Sequence, residues 1–367
     1  MKTVFAVIVV LHAAIHLLGF VKGFQLVEVP PLKSPISSAR GLLWLLAAIL
    51  FVLFIILYFV DFKYVWLLGF AAVIISQALI VIYWKDARFG TLPNMIVAAV
   101  SLIMCGNFYF HTLVHKEIGE WMRQREIRFD KVLSEDDMGK LPEPVRKWLR
   151  TSGAVGKPLI YSGKITQKAY LKLNPQQKDW LPASALQYTS GEPPAFIWVV
   201  EVKMNNLLFF VGRDKYINGS GHMLIKLNAL WPIVNEQGDK LDEGTIQRYL
   251  GEIVWFPSLA LSDYIAWKQI NDTTVMATMT YRGKSGTGTF YFNSSGDFVR
   301  FTAQRYKDNK PDARKYEWII AVEEYKTFDG IKIPSRMTAT WKLEAQDWTW
   351  LKLEITDMQY NFEMPER

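Results

Sequence analysis

Thr3 to Val21 reads TVFAVIVVLHAAIHLLGFV. Nineteen residues without a charge are long enough to cross a hydrocarbon core of roughly 30 Å as a helix. Three further runs have the same character: LLWLLAAILFVLFIILYFV at Leu42 to Val60, YVWLLGFAAVIISQALIVIYW at Tyr64 to Trp84, and MIVAAVSLIMCGNFYFHTLVH at Met95 to His115. Trp44, Tyr58, Tyr64, Trp66, Tyr83 and Trp84 gather near run ends, as an interfacial aromatic belt does. Asp61-Phe62-Lys63 is too short to join runs two and three except as an antiparallel hairpin. The reading is a four-helix transmembrane bundle over residues 1–115. The first run starts at residue 1 behind Lys2, like a signal peptide, but it has no clean small-x-small cleavage site and is expected to be retained.

Charge divides the chain at the same point. Residues 1–115 hold 7 Lys+Arg and 3 Asp+Glu, whereas residues 116–367 hold 35 and 32. The overall charge of +7 is therefore no nucleic-acid signature, and no basic block or zinc-finger spacing supports one. The single cysteine, Cys105, excludes an internal disulfide and a cysteine-based metal site. Sidedness stays open. Lys22, Lys33, Arg40, Lys85 and Arg88 flank one face, and Lys2, Lys63, Lys116, Arg123, Arg125, Arg128 and Lys131 the other.

Beyond the fourth run, residues 116–155 read as a helical stalk. Glu117 to Arg128 continues the span with an interfacial mixture. After Ser134 and the prolines Pro142 and Pro144, a short helix through Val145, Trp148 and Leu149 ends before Gly153. From about Ile160 the apolar period changes to two. KITQKAYLKL, FIWVVEVKM, FVRFTAQRY, YEWIIAVEEYKTF and six similar segments alternate apolar with polar. Turn signals at Asn205-Asn206, Asn218-Gly219, Ser295-Gly296-Asp297 and Asp329-Gly330 separate them. About ten hairpin-linked strands over residues 156–367 imply one curved antiparallel sheet or half-barrel. A helical insertion, LDEGTIQRYLGEIVWFPSLALSDYI, interrupts it, with Asp242 or Thr245 near its start and Pro257 as a breaker.

LPEPVRKWLRTSG at Leu141 to Gly153, PPAFIWVVEVKM at Pro193 to Met204 and RYLGEIVWFPSLAL at Arg248 to Leu261 resemble an uncharacterised family of bacterial membrane proteins carrying a domain of unknown function. HLLGFVKGF and WKDARFGTLPN are similar to the membrane part of its longer members. The family implies no activity. FIW before a hairpin, RDKYINGSG, and FYFNSSGDFVRF further resemble the periplasmic lipoprotein-carrier fold, a half-open barrel closed by helices. That resemblance implies a concave face holding acyl chains and a soluble domain outside the cytoplasm, on a cytoplasmic-membrane protein. A carrier diffuses, whereas this domain is tethered, so the implied role is binding or hand-over at the membrane surface.

Phe196, Trp198, Phe210, Tyr249, Trp255, Phe256 and Trp341 are the candidate ligand-binding residues. The same alternation serves a dry core equally well, and the sequence leaves the two open. Arg248 and Glu252 stand at i,i+4 and are expected to pair, within a segment expected to form a lid. WKDARFGTLPN reads as a tight turn with positive flanks. His222, in GSGHM, has no clear Ser or Asp partner. There is no G-x-S-x-G, P-loop or G-x-G-x-x-G, so the leading expectation is a non-catalytic module whose partners are membrane lipids and a hydrophobic ligand.

The competing expectation comes from four of the five histidines. His12/His16 and His111/His115 are two i,i+4 pairs in the first and last spans. Intramembrane ionisable groups are costly and mark functional sites. Imidazoles in this pattern suit a divalent metal or haem, in a redox component, provided both pairs converge. Counting at about 1.5 Å per residue puts His12 roughly 14 Å and His111 roughly 6 Å from the same surface. The bland alternative is hydrogen bonding between helices, with Ser76, Gln77 and Asn107 as partners.

Overall fold

The computed structural model describes residues 2–123 and 131–362. Arg125 and Arg128, expected to continue the fourth span, lie outside them. The chain forms two compact units, one built from Met1–Leu113 with Asn228–Leu230 and one from the remainder.

The first unit holds α1 (Lys2–Gly23), α2 (Ser38–Phe59), α3 (Val65–Ile82), a short α4 (Trp84–Ala87) and α5 (Thr91–Met122), which runs on into the second unit. Four helical stretches are long and apolar enough to cross a membrane. Their outward faces are apolar, with Val7, Leu11, Ile15, Leu46, Ile56 and Ile74 exposed, whereas the inward faces carry small and polar groups. Close approach depends on glycine. A Cβ on Gly23 would stand 2.9 Å from the Gly41 Cα, and one on Gly69 only 2.0 Å from the Ser101 Oγ. Small residues at crossings are how helices associate where no hydrophobic force drives them.

In the second unit α6 (Glu143–Thr151) buries Val145, Trp148 and Leu149 in the core of the β-domain, and Gly153 follows with φ +73°. Thirteen strands then form one antiparallel sheet. They are β1 (Ser162–Leu171), β2 (Leu181–Gly191), β3 (Pro194–Lys203), β4 (Phe209–Ile217), β5 (Ser220–Leu227), β6 (Trp231–Glu236), β7 (Ile265–Asn271), β8 (Thr274–Tyr281), β9 (Lys284–Phe292), β10 (Phe298–Tyr306), β11 (Lys315–Phe328), β12 (Ile331–Lys342) and β13 (Asp347–Tyr360). The spatial order is β6-β5-β4-β3-β2-β1-β13-β12-β11-β10-β9-β8-β7. Two meanders are thus joined by one non-sequential pairing, β1 with β13, in which Ile165 faces Met358. Asn218-Gly219, Arg282-Gly283 and Asp329-Gly330 all have positive φ at both positions, the tight hairpin geometry that matches strand twist.

Three strands exceed the sequence expectation: β2, β6 and β7. Both β6 and β7 are sheet edges with mostly exposed or half-buried residues, so no buried phase imprints alternation on them. Pro232 in β6 is tolerated at an edge because its missing N–H faces no further strand. β2 is masked by Pro182 and by small polar residues such as Ser184 and Thr189.

β6 and β7 are also consecutive in the chain, joined through α7 (Asp239–Glu252) and 3-10 turns at Ile253–Trp255 and Pro257–Leu261. Twelve inter-strand steps of about 4.8 Å would make a flat sheet nearly 60 Å wide. Yet α7, about 21 Å long, packs on β4 and β5 from one flank and on β8, β9 and β10 from the other. The sheet is therefore strongly curled around the helix. Glycines on both flanks admit it: a Cβ on Gly221 would meet the Thr245 Oγ1 at 2.7 Å, and one on Gly286 the Ile246 Cγ2 at 2.8 Å. The helix begins before the expected caps. Asp242 accepts instead from the Gly221 N–H at 2.7 Å, bolting α7 to β5.

Candidate functional site

Curling leaves a cavity of about 620 Å³ between the concave face and α7. Inward positions two apart supply each wall: Trp198, Val200 and Val202 from β3, Phe210, Gly212 and Asp214 from β4, and Met337, Ala339 and Trp341 from β12. Its size falls within the roughly 300–1,000 Å³ that encloses one small organic ligand. The lining is mostly apolar and aromatic.

Five cations interrupt it, Arg213, Lys240, Arg248, Arg305 and Lys307, and two of the arginines, Arg248 and Arg305, stack on indoles of the wall. Arg248 on α7 donates from Nε to the Glu252 Oε1 at 2.7 Å, from Nη1 to the Asp214 Oδ2 at 2.7 Å, and from Nη2 to the Gln187 Oε1 at 3.1 Å. Gln187 in turn donates to the Glu252 Oε2 at 2.7 Å. The guanidinium stacks over Phe196 and Trp198, at 4.6 and 4.9 Å from the ring centroids. Burial acts to lower its pKa, but the Glu252 and Asp214 carboxylates outweigh burial, and the net direction is upward. The expected i,i+4 pair is present, extended into a network that reaches β2 and β4.

Arg305 on β10 is the second. Its guanidinium lies 4.5 Å from the Trp318 centroid and 5.9 Å from that of Trp341. Burial pushes its pKa down to about 10, with Asp214 raising it and Arg248 lowering it.

Of the candidate ligand-binding residues, Trp198, Phe210, Trp255 and Trp341 line the cavity. Trp198 and Trp255 are oriented by indole donation to the Gln167 Oε1 and the Pro334 carbonyl, at 2.9 and 3.1 Å. Phe196, Tyr249 and Phe256 lie in the closed core instead. Phe196 carries Arg248, the Tyr249 hydroxyl donates to the Ser190 carbonyl at 2.9 Å, and Phe256 fills the space left by Gly163.

Gln187, Asp214 and Arg305 were not among the candidate residues. A signal existed for two of them. Phe301, Ala303 and Arg305 share one strand face, and so do Phe210, Gly212 and Asp214. A charge standing in the apolar phase of a strand is directed inward.

His222 is half-buried. Its Nδ1 lies 3.1 Å from the Arg213 Nη2, which has no acceptor role, so Nδ1 accepts and the proton sits on Nε2, donating to the Asn235 Oδ1 at 2.8 Å. Burial is the main force lowering its pKa. The Asn235 bond opposes this, while Arg213 and Lys215 add to it.

The four histidines of α1 and α5 do not converge. His12 Nε2 meets the Asn94 Oδ1 at 2.9 Å, His16 Nδ1 the His12 carbonyl at 2.8 Å, and His16 Nε2 the Ser76 Oγ at 2.8 Å. Asn94 opens α5, and His111 stands seventeen residues further along that helix, roughly 25 Å away at about 1.5 Å per residue. The expected convergence failed because α5 is 32 residues long and overshoots the apolar run from which depth was counted. His115 is exposed. His16 Nδ1–H donates to the His12 carbonyl and His12 Nε2–H to the Asn94 Oδ1, while the Ser76 hydroxyl stands between His16 Nε2 at 2.8 Å and the Asn94 Oδ1 at 3.0 Å with one proton for the two acceptors. Asn94 then donates to Gln77 and Gln77 to Thr91. Ser76 is among the partners expected for interhelical bonding. Gln77 joins through Asn94, and Asn107 is not in this network.

Residues 131–353 match the model of a family of unknown function, DUF6544. No curated protein matches the chain. Among solved structures, a LolA superfamily protein from Nitrosomonas europaea is similar at 11% identity and a TM-score of 0.33, over 60% of this chain and 94% of that one. A β-barrel-like protein with a domain of unknown function, DUF1849, from Brucella abortus is similar at 8% identity and a TM-score of 0.20, over 55% and 98%.

Proposed function

The chain belongs to the DUF6544 family of unknown function, and we propose that it is a membrane protein whose half-barrel binds a hydrophobic, lipid-class ligand at the membrane surface without transforming it. The observation that carries this reading is the cavity of about 620 Å³, walled by Trp198, Phe210, Met337, Trp341 and Leu353. Apolar walls with a few fixed polar groups are the usual make-up of small-molecule sites. The cavity carboxylates Asp214 and Glu252 are both engaged with Arg248, which favours binding over acid–base catalysis. In this reading the four apolar helices tether the half-barrel to a lipid phase.

The test is to purify the full-length protein, extract it with organic solvent, and identify what was carried, beside an Ala339→Phe variant that fills the cavity. A hydrophobic molecule near one per chain in the wild type, and depleted in a variant of unchanged melting temperature, supports the reading. A wild type that carries none and takes up no added lipid probe defeats it. Sidedness is part of the same proposal: a cytoplasmic-membrane protein with the half-barrel outside the cytoplasm. A Cys105→Ala/Ser294→Cys variant, with its new thiol on an exposed loop, should react with an impermeant maleimide in spheroplasts. Reaction only after lysis reverses the orientation.

A further inference from the structure

Among the described residues, three cations that line the cavity have no carboxylate within 4 Å: Lys240, which donates to the Lys310 and Pro311 carbonyls, Lys307, which is exposed to solvent, and Arg305. Arg248 has Asp214 and Glu252 within 2.7 Å. Arg305 has neither. Among the described residues no carboxylate lies within 4 Å of its guanidinium, and its contacts there are the rings of Trp318 and Trp341. Its position is nonetheless fixed. Gly244 on α7 clears the space it occupies: a Cβ there would stand 3.0 Å from the Arg305 Nε. Trp318, 3% exposed, supplies the opposing surface. The guanidinium is thus held between a helix glycine and an indole, and it lines the cavity.

Resting on the hydrophobic-ligand reading above, we propose that Arg305 seats the anionic head of the ligand, so that the cavity takes an amphiphile with one oxyanion, carboxylate or phosphate, on an apolar chain.

An isolated charge in apolar surroundings is unfavourable until it is paired. The downward push on Arg305 has that origin. A planar guanidinium presents parallel N–H donors that match a carboxylate or phosphate in bidentate geometry. Stacking on Trp318 leaves those in-plane donors available, because cation–π contact uses the face. The chain of such a ligand would lie along Trp198, Val200, Phe210 and Leu353. The charged lining nearly balances, with five cations (Arg213, Lys240, Arg248, Arg305, Lys307) against four carboxylates (Asp214, Glu236, Glu252, Asp308), so selectivity stems from geometry, above all that of Asp214 and Glu252. The two carboxylates aim their bonded oxygens at Arg248 and Gln187, and they act on Arg305 only at longer range.

The experiment uses full-length protein in phosphatidylcholine nanodiscs and photo-crosslinking, with labelled peptides mapped by mass spectrometry. Three diazirine probes share one sixteen-carbon chain and end in a carboxylate, a phosphate monoester or an alcohol. Wild type should label half-barrel peptides with at least one acidic probe about tenfold more than with the alcohol, the ratio expected of one charge-assisted contact. The probe that labels identifies the head group. Arg305→Gln should abolish the preference while alcohol labelling persists, and Arg305→Lys should restore part of it. Gly244→Ala, which keeps the arginine but crowds it, should reduce the preference without removing it. Equal labelling by all three probes in wild type overturns the anion proposal and leaves the hydrophobic-ligand reading standing. Absence of half-barrel labelling by any probe overturns both.

Discussion

Arg248 on α7 and Asp214 on β4 are joined by a 2.7 Å ion pair between side chains that are 13% and 6% exposed. The pair fixes the helix against one flank of the sheet, at the cavity wall. Removing one member leaves the other buried and short of a partner, which is more damaging than removing both. Asp214→Ala is expected to destabilise the β-domain by about 3 kcal/mol, the low end for a broken buried pair because Glu252 still holds Arg248. An Arg248→Met/Asp214→Leu double variant should lose less. Chemical denaturation followed by tryptophan fluorescence checks the order, and a double variant worse than the single would refute it.

Gly163 and Phe256 give a second test. A Cβ at Gly163 would lie 2.1 Å from the Phe256 ring, which is 1% exposed and has no room to retreat. Gly163→Ala should cost about 1–3 kcal/mol, the ordinary range for overpacking. Pairing it with Phe256→Leu should recover part of the loss. No recovery would mean that the clash is not the cause.

His222 makes stability depend on pH. Its folded pKa lies below its ordinary value near 6.5. A histidine held neutral by folding contributes fully above its unfolded pKa. As pH falls below about 6.5 the unfolded chain takes up a proton that the folded one resists. Protonation would also place an N–H against Arg213, with Lys215 nearby, against which the Asn235 bond and Glu117 are too weak. Wild-type stability should therefore decline from pH 6.5 downward, and His222→Gln should flatten that limb. Equal slopes in the two proteins would exclude His222 as the source.

The chain of bonds from His16 through Ser76 and His12 to Asn94 ties α1 to α3 and α5. Hydrogen bonds between membrane helices are worth about 0.6 kcal/mol on average and seldom exceed about 1.7. His16→Ala and Ser76→Ala should each lower stability in a detergent unfolding assay by about that amount. Their double variant should fall short of additivity, since one bond is lost in both. Full additivity would show that the two residues act separately.

Much of this was legible in the residues themselves. Four uncharged runs dictate helices long and apolar enough to cross a membrane, the form in which a backbone satisfies its polar groups internally. Alternation with hairpin turns dictates an antiparallel sheet, and continuity of hairpins dictates its order within each meander. The i,i+4 spacing of Arg248 and Glu252 was enough to forecast their pairing.

Only tertiary structure decided which aromatics meet a ligand. Alternation fixes the face on which a side chain stands but not how far the opposite wall lies. Phe196 and Trp198 share a face of β3, yet one is closed over by Arg248 and core while the other borders open space. Curvature made that difference, since it brings β4 and β10 to the same helix although they are distant in the sheet. Curvature also placed Asp214, Arg248 and Arg305 in one cavity from three separate segments. The histidines follow the same rule. Spacing put each pair on one face of its helix, but the length and offset of α5 placed Asn94, not His111, opposite His12.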